Sequence, residues 1–171
     1  HAAAQDAVFN EFPKEFLEER GILELQSRCD SKDTYLTRPD LGRRLSEESA
    51  EKLKNFYKKS PTCVVFAADG LSGTAIEANY DIVIPALMNG LKAHGIDAGE
   101  PFFVRYGRVA VQDEVSEITG CDVCVCLIGE RPGLATAKSM SAYITYKGTI
   151  GMSEARRTVV SNIHNAGAPA A

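Results

Sequence analysis

Cys63-Val-Val-Phe-Ala-Ala68, followed directly by Asp69-Gly-Leu-Ser72, carries the strongest structural signal in this sequence of 171 residues. Six consecutive apolar residues that end at a turn are typical of a strand buried on both faces of a sheet. The pattern then becomes helical as far as about His94-Gly95, and Pro85 is expected to divide that region into two helices. The sequence therefore predicts a unit of strand, loop and helix here.

Apolar runs of the same kind follow along the chain, at Phe102–Arg105, Asp122–Ile128 and Ala142–Tyr146. A helical pattern that stops at Gly120 separates the first two runs, and Asp113 and Glu114 in it are expected to form a solvated face. Strands that alternate with helices pair in parallel, with both faces of the sheet covered. The sequence therefore predicts an α/β fold with an open, mainly parallel sheet and helices on both faces, flavodoxin-like or Rossmann-like.

The first third of the sequence reads differently, as an N-terminal helical segment over residues 1–61 before an α/β domain over residues 62–171. A short helix is predicted over Asn10–Gly21, and a second over Leu41–Tyr57 with Asp40 as its N-cap. The start, His1-Ala-Ala-Ala, lacks Met and any signal-peptide pattern. We interpret it as tag-derived residues on a truncated chain.

Composition narrows the range of partners. Lys and Arg number 19 against 23 Asp and Glu, which gives a formal net charge of −4 and argues against a nucleic-acid surface. No apolar run approaches the roughly 20 residues that cross a bilayer, so no membrane partner is expected. Five cysteines, three of them in or beside the predicted strand 122–128, indicate buried thiols in a reducing cytoplasm more than a metal or redox site.

Three predicted strands end in loops that combine glycine with charge: Asp69-Gly70, Arg105-Tyr-Gly-Arg108 and Gly129-Glu-Arg-Pro-Gly133. Such loops share one edge of a parallel sheet, where ligands usually bind, although the glycines could also serve only to turn the chain. Ser72 lacks a complete G-x-S-x-G motif and is expected to cap a helix, not to act as a nucleophile. The sequence therefore predicts a binding edge with no catalytic residue and no metal ligand.

Five blocks of sequence resemble, in order, the small subunit of the ethanolamine ammonia-lyase family, from about Phe12 to the C-terminus: Leu36–Leu45, Asp69–Ser72, Pro101–Val109, Gly129–Leu134 and Ser161–His164. The resemblance implies an adenosylcobalamin enzyme that converts ethanolamine to acetaldehyde and ammonia by a radical mechanism. It implies a hetero-oligomer in which ethanolamine is bound mainly by the ethanolamine ammonia-lyase large subunit. The small subunit alone would be inactive. The resemblance also implies a location in the bacterial cytoplasm, within a microcompartment.

The resemblance also places cobalamin contacts on Val109, Glu130 and Val159. Glu130 is expected to accept hydrogen bonds from corrin amide groups, with internal pairing to Arg131 or Arg108 as the alternative. The two valines would supply apolar contacts or backbone carbonyls. These three positions are the predicted cofactor-binding residues.

The D-x-H-x-x-G pattern, by which another class of cobalamin proteins supplies a histidine to cobalt, is missing from the sequence. The coenzyme is therefore expected to keep its own dimethylbenzimidazole ligand. Two other interpretations stay open. The chain could be a stand-alone flavodoxin-like module for a nucleotide or coenzyme, as the strand-end glycines suggest, or a purely architectural subunit.

Overall fold

The sheet of the protein has six strands, at Leu23–Gln26 (β1), Cys63–Ala68 (β2), Phe102–Arg105 (β3), Val123–Gly129 (β4), Met140–Tyr146 (β5) and Thr158–Ile163 (β6). The strand order is β1-β3-β2-β4-β5-β6. This computed structural model describes residue 6, residues 8–133 and residues 136–168. A six-stranded sheet with helices confirms the predicted α/β class.

The sheet is mixed. Strands β1, β3, β2 and β4 pair in parallel, whereas β5 runs antiparallel to both of its neighbours. The expectation that Ala142–Tyr146 continues the parallel series is therefore wrong. Parallel neighbours need a crossover of a dozen or more residues, and only residues 130–139 separate β4 from β5. A short connection of this kind returns the chain as an antiparallel strand.

Helices cover the sheet, at Lys14–Glu19 (α1), Lys32–Thr37 (α2), Pro39–Gly42 (α3), Glu47–Lys54 (α4), Gly73–Ala93 (α5) and Val111–Thr119 (α6). One core forms where α5 packs on the side chains of Val65, Phe103 and Leu127. A second forms where α4 and α6 pack on Phe66 and Val104 on the other face. The predicted cover on both faces is confirmed.

Pro85 does not divide the long helix, contrary to the prediction. Helix α5 runs unbroken from Gly73 to Ala93 with Pro85 inside it. Proline removes the amide that would donate to the carbonyl of Asp81, one turn earlier. Because Asp81, Ile82 and Pro85 are all exposed, water can satisfy that carbonyl.

The helix predicted over Leu41–Tyr57 forms as two helices, α3 and α4. Asp40 lies inside α3, and the N-cap of α4 is Ser46, whose Oγ accepts a hydrogen bond from the Ser49 amide at 3.2 Å. Between the helices the Ser46 amide donates to the carbonyl of Gln26 in β1 at 3.0 Å. Pairing with β1 therefore prevents one continuous helix.

Two carboxylates expected on a solvated face are buried instead. Asp113 and Glu114 lie in the first turn of α6, where Asp113 pairs with Arg157 and Glu114 pairs with Arg44. Glu114 also accepts a hydrogen bond from the Leu45 amide at 2.6 Å. Ionic partners from distant parts of the chain make this burial possible.

All five cysteines are buried free thiols, three of them in the second core. Within residues 8–133 and 136–168, no group of three His, Cys, Asp or Glu side chains is arranged to hold a metal ion. Among the helices of this described part, none has the length and apolar character needed to span a bilayer.

Candidate functional site

The order of the strands creates a cleft at the carboxyl edge of the sheet. From β2 the chain passes through α5 to β3 on one side, whereas from β4 it continues to β5 on the other. The connections that leave β2 and β4 therefore lead to opposite sides of the sheet, and such a switch point is where open α/β sheets bind ligands. The cleft measures about 350 Å³, and its lining comes from the three strand-end loops together with α2, β5 and β6.

Glycines let the loops after β2 and β4 approach each other. A Cβ at Gly129 would lie 2.0 Å from the carbonyl oxygen of Ser72, and one at Gly70 would lie 2.5 Å from the side chain of Ile128. Gly70 also has φ +55, a conformation that glycine adopts without strain. Glycine therefore serves the turning role here and also lets the two loops pack closely.

Two of the three predicted contact residues line the cleft directly. Val109 follows β3 and Glu130 follows β4. Val159 is not among the lining residues, but it pairs with Tyr143, which is, and it is 43% exposed. Directly opposed residues share one face of a sheet, so Val159 lies on the same face as the cleft. The structure brings the three positions to one region, and their contact with a cofactor stays a prediction.

Glu130 is held by hydrogen bonds from two strands and the segment before them. Ser139 Oγ donates to its carboxylate at 2.6 Å, Ser141 Oγ donates as well, and the Asn162 amide donates at 3.0 Å. Burial raises the pKa of Glu130, but these donors outweigh burial and leave the pKa below its ordinary value. The carboxylate is therefore ionised at neutral pH and links β4, β5 and β6.

The suggested internal pairing of Glu130 with an arginine does not form among the described residues, where serine and amide donors take that place. A carboxylate offers about four lone-pair sites. With three donors already bound, Glu130 has capacity for roughly one further donor from the cleft.

A buried polar pair lies beneath the loops. Lys32 Nζ donates to the carbonyl of Gly70 at 2.6 Å and lies 3.8 Å from Asp69 Oδ2, and both side chains are almost fully buried. Burial raises the pKa of Asp69 and lowers that of Lys32, because desolvation penalises both charges. Asp69 accepts a hydrogen bond from the Tyr106 amide at 2.8 Å. This pair ties α2 to the loops after β2 and β3.

Tyr106 has φ 55, which is uncommon for a residue with a side chain. Its amide donates to Asp69, its carbonyl accepts from Ser27 Oγ at 2.7 Å, and its hydroxyl donates to Glu11 at 2.6 Å. These three bonds offset the strain. They fix the backbone that leads into Arg108 and Val109 at the cleft wall.

Ser72 is a helix cap, as predicted. Its Oγ accepts from the Ala75 amide at 3.2 Å and donates to the carbonyl of Ala137 at 2.6 Å. With its hydroxyl engaged in this way and the residue fully buried, Ser72 has no access to a substrate. Tyr143 and Lys147 stand four residues apart but do not form a helical acid/base pair, because Tyr143 lies in β5 and Lys147 follows that strand.

The whole chain, residues 1–171, matches the family model described as Ethanolamine ammonia-lyase light chain (EutC). The chain belongs to this family. It is 60% identical over 171 residues to the ethanolamine ammonia-lyase small subunit of Fusobacterium nucleatum subsp. nucleatum, covering 100% of this chain and 58% of that protein. It is 56% identical over 170 residues to the small subunit of Clostridium tetani, covering 99% and 58%.

A further relative, the ethanolamine ammonia-lyase small subunit of Listeria monocytogenes serotype 4a, is 48% identical over 169 residues, covering 99% of this chain and 58% of that protein. The chain thus spans 58% of the length of the curated relatives that it matches. The family assignment confirms the resemblance found in the sequence. The matched residues include the strand-end loops, the cleft and both edges of the sheet.

Sequence reasoning missed several cleft residues of this light chain. Tyr35 lies in α2, and Ser141 and Tyr143 lie in β5. Tyr35 is far from the strand-end loops in sequence and reaches them only because α2 folds back over the sheet edge. The serine and the tyrosine alternate along β5, and this alternation was the one available signal that they share a face.

A second hollow of about 440 Å³ lies on the opposite face, between α5 and the strands β5 and β6. Its lining is almost entirely apolar, with side chains such as Leu87, Leu91 and Ile144. Binding sites combine apolar walls with a few convergent polar groups. The cleft beside Glu130 meets that description, and this groove does not.

Proposed function

We propose that the chain is the small subunit of an adenosylcobalamin-dependent ethanolamine ammonia-lyase and holds one side of the coenzyme at the interface with a large catalytic subunit. The observation that carries this proposal is the cleft at the switch point, which has Val109 and Glu130 on its walls. When bound, adenosylcobalamin supplies the radical chemistry that converts ethanolamine to acetaldehyde and ammonia. The family resemblance also leads us to propose a location in a microcompartment of the bacterial cytoplasm.

The size of the cleft fits a part of cobalamin. Pockets for drug-sized ligands run from roughly 300 to 1,000 Å³, and cobalamin is larger than such ligands. A cleft of about 350 Å³ can therefore enclose only one portion of the coenzyme. The remainder needs a second surface, which supports a hetero-oligomer with the coenzyme between its chains.

The chemistry of the lining fits the rim of a corrin. The corrin carries amide side chains that both donate and accept hydrogen bonds. Glu130 offers an acceptor, Ser141 and Ser161 offer hydroxyls, and Val109 and Ile128 offer apolar surface. In this arrangement Glu130 binds a corrin amide through its remaining lone pair, while Val109 excludes water beside it.

This chain would bind and orient the coenzyme, and the large subunit would bind ethanolamine. In the described part of the chain, the residues that line the cleft include no histidine, cysteine or lysine to act as a nucleophile or as a base near neutral pH. An accessory role, inactive without the partner, agrees with that composition. Ammonia release from the isolated chain would contradict it.

The same lining supports a coenzyme that keeps its own dimethylbenzimidazole. His94 borders the apolar groove on the far face, and His164 hydrogen-bonds to Asn162 without lining the cleft. The electron paramagnetic resonance spectrum of the cob(II)alamin form should therefore show coupling to a benzimidazole nitrogen. Coupling to a nitrogen of a labelled protein histidine would refute this part of the proposal.

The test is a titration of the assembled complex. The chain is combined with an ethanolamine ammonia-lyase large subunit, and adenosylcobalamin binding is followed by absorbance. Glu130→Ala should weaken binding about 10-fold, as expected for the loss of a charged acceptor. Glu130→Gln, which keeps part of the internal hydrogen bonding, should weaken binding less.

Glu77→Ala is the matched control, because Glu77 is an exposed carboxylate on α5. It should leave the affinity unchanged. An unchanged affinity in Glu130→Ala, with normal assembly, would favour a purely architectural subunit. Tight flavin binding by the isolated chain, without any cobalamin response of the complex, would favour the flavodoxin-like module.

A further inference from the structure

Two arginines and one carboxylate line the cleft, so positive charge exceeds negative charge in its lining. Arg108 and Arg131 both line it, and within the described residues neither forms an ion pair with a carboxylate. The charge of Glu130 is already satisfied by two hydroxyls and an amide. The two guanidinium groups therefore face the cleft without a counterion from this part of the chain.

Arg108 is fixed in place. Its backbone amide donates to the carbonyl of Gly42 at 2.8 Å, and its Nη2 donates to the carbonyl of Tyr35 at 2.6 Å. Its guanidinium lies over the Tyr35 ring, 4.6 Å from the centroid. A Cβ at Gly42 would lie 2.9 Å from Arg108 Cγ, so the side chain needs a glycine beneath it. One backbone contact and three side-chain contacts thus fix Arg108, and the three side-chain contacts hold one rotamer.

Two nitrogens of the Arg108 guanidinium have no acceptor among the described residues. Nε of Arg108 is buried and has no hydrogen-bond partner, and Nη1 makes no hydrogen bond within residues 8–133 and 136–168. A desolvated and incompletely paired guanidinium is unfavourable by itself. Nη1, which is not among the fully buried atoms, can donate to a phosphate oxygen, and the fixed rotamer lowers the entropy that the side chain loses when an anion binds.

We propose that Arg108, assisted by Arg131, is an anion site for a phosphate ester, and that its ligand is the phosphodiester of the coenzyme's nucleotide loop. This inference is based on the proposed function. Cobalamin carries one phosphodiester, whereas the side chains on its corrin rim are neutral amides. The site therefore selects the nucleotide-bearing side of the coenzyme and orients it toward this chain.

The experiment uses the complex with the large subunit and three corrinoid probes. Adenosylcobalamin contains the phosphodiester, adenosylcobinamide lacks both the phosphate and the benzimidazole, and adenosylcobinamide phosphate retains the phosphate alone. Dissociation constants are measured by absorbance titration for wild type and Arg108→Gln. Arg108→Gln should weaken binding of the two phosphate-bearing probes about 10- to 100-fold and leave adenosylcobinamide unchanged.

Further variants separate charge from shape. Arg131→Gln removes an exposed side chain and should weaken only the phosphate-bearing probes, about 2- to 5-fold. Arg108→Lys keeps the charge without the fork and should recover part of the loss. Arg43→Gln, an exposed arginine beside Gly42 that lies outside the cleft lining, should change none of the three constants.

Each result decides one question. Equal losses for all three probes in Arg108→Gln, or no loss for any, would overturn the anion site while leaving the proposed function intact. A wild-type complex that binds no corrinoid would contradict the proposed function itself. In that case, direct binding of inorganic phosphate or flavin mononucleotide that is lost in Arg108→Gln would assign the arginines to a different phosphate ligand.

Discussion

The buried ion pair between Arg157 and Asp113 allows a quantitative test of what holds β6 in place. The two side chains are 1% and 4% exposed, and two contacts of 2.8 Å join Nη1 and Nη2 to the two carboxylate oxygens. Arg157 also donates to Thr145 Oγ1 at 3.0 Å and to Glu154 at 2.8 Å. Arg157 thus has a second carboxylate partner, whereas Asp113 pairs with this one cation among the described residues.

Because Arg157 has a second carboxylate partner and Asp113 has one cation partner, the variants should differ in the free energy of unfolding that they lose. Arg157→Met leaves a buried carboxylate without a counterion and should lower the free energy of unfolding by about 3–5 kcal/mol. Asp113→Asn leaves Arg157 with its other partners and should cost about 1.5–3 kcal/mol. Glu154 is 63% exposed, so Glu154→Gln should cost about 0–1 kcal/mol.

Urea unfolding followed by far-UV circular dichroism measures all three losses, because the sequence contains no tryptophan to report by fluorescence. The double variant Arg157→Met/Asp113→Leu replaces the ions with apolar groups and should recover most of the stability. If Arg157→Met costs no more than Glu154→Gln, the pair does not anchor β6 and the reasoning is wrong.

Three other perturbations follow from contacts at the cleft and the core. Gly129→Ala should destabilise the protein by at least about 1–3 kcal/mol in urea unfolding because its Cβ has no space, whereas Gly90→Ala, with nothing within 4 Å, should be neutral or stabilising. The lowered pKa of Glu130 stabilises the fold above its unfolded value, and this contribution is lost as pH falls through the folded value. Glu130→Gln should therefore flatten the stability profile as pH falls below the ordinary glutamate pKa of about 4.3, and an unchanged profile would contradict the hydrogen-bond assignment. The hydrogen bond with Cys124 lowers the pKa of Cys121 to about 6 against the opposing effect of burial. Thiolate absorbance at 240 nm and pH 7.5 should consequently fall in Cys124→Ala, and a constant signal would exclude Cys121 as its source.

The sequence predicted the features that depend on local pattern. Apolar runs identified β2, β3 and β4, and the glycine-bearing loops after them identified the edge where the cleft lies. The sequence predicts Ser72 as a cap because the residues around it lack the complete G-x-S-x-G motif of a nucleophile. In each case the residues that determine the structure are neighbours in the chain.

Features that depend on distant partners could not be predicted in this way. Strand β1 alternates leucine with Glu24 and Gln26, and β6 is mostly exposed, so neither carries the apolar run of a buried strand. Glu114 is buried because Arg44 and the Leu45 amide meet it from another helix connection. The sequence around Glu114 does not indicate that these partners exist, and a carboxylate without hydrogen-bond or ionic partners would lie in solvent.

The strand order also determines how early each part of the chain can fold. Strands β4, β5 and β6 follow one another in sequence and pair as neighbours, so their contacts close short loops. Leu23 in β1, by contrast, pairs with Phe102 in β3, and two helical regions and β2 lie between them in the sequence. Pairings of high sequence separation form slowly because the entropy of a long loop is lost first. During synthesis, β1 therefore stays unpaired until β3 has been made, and the apolar side chains of β1 stay without their partners for that time.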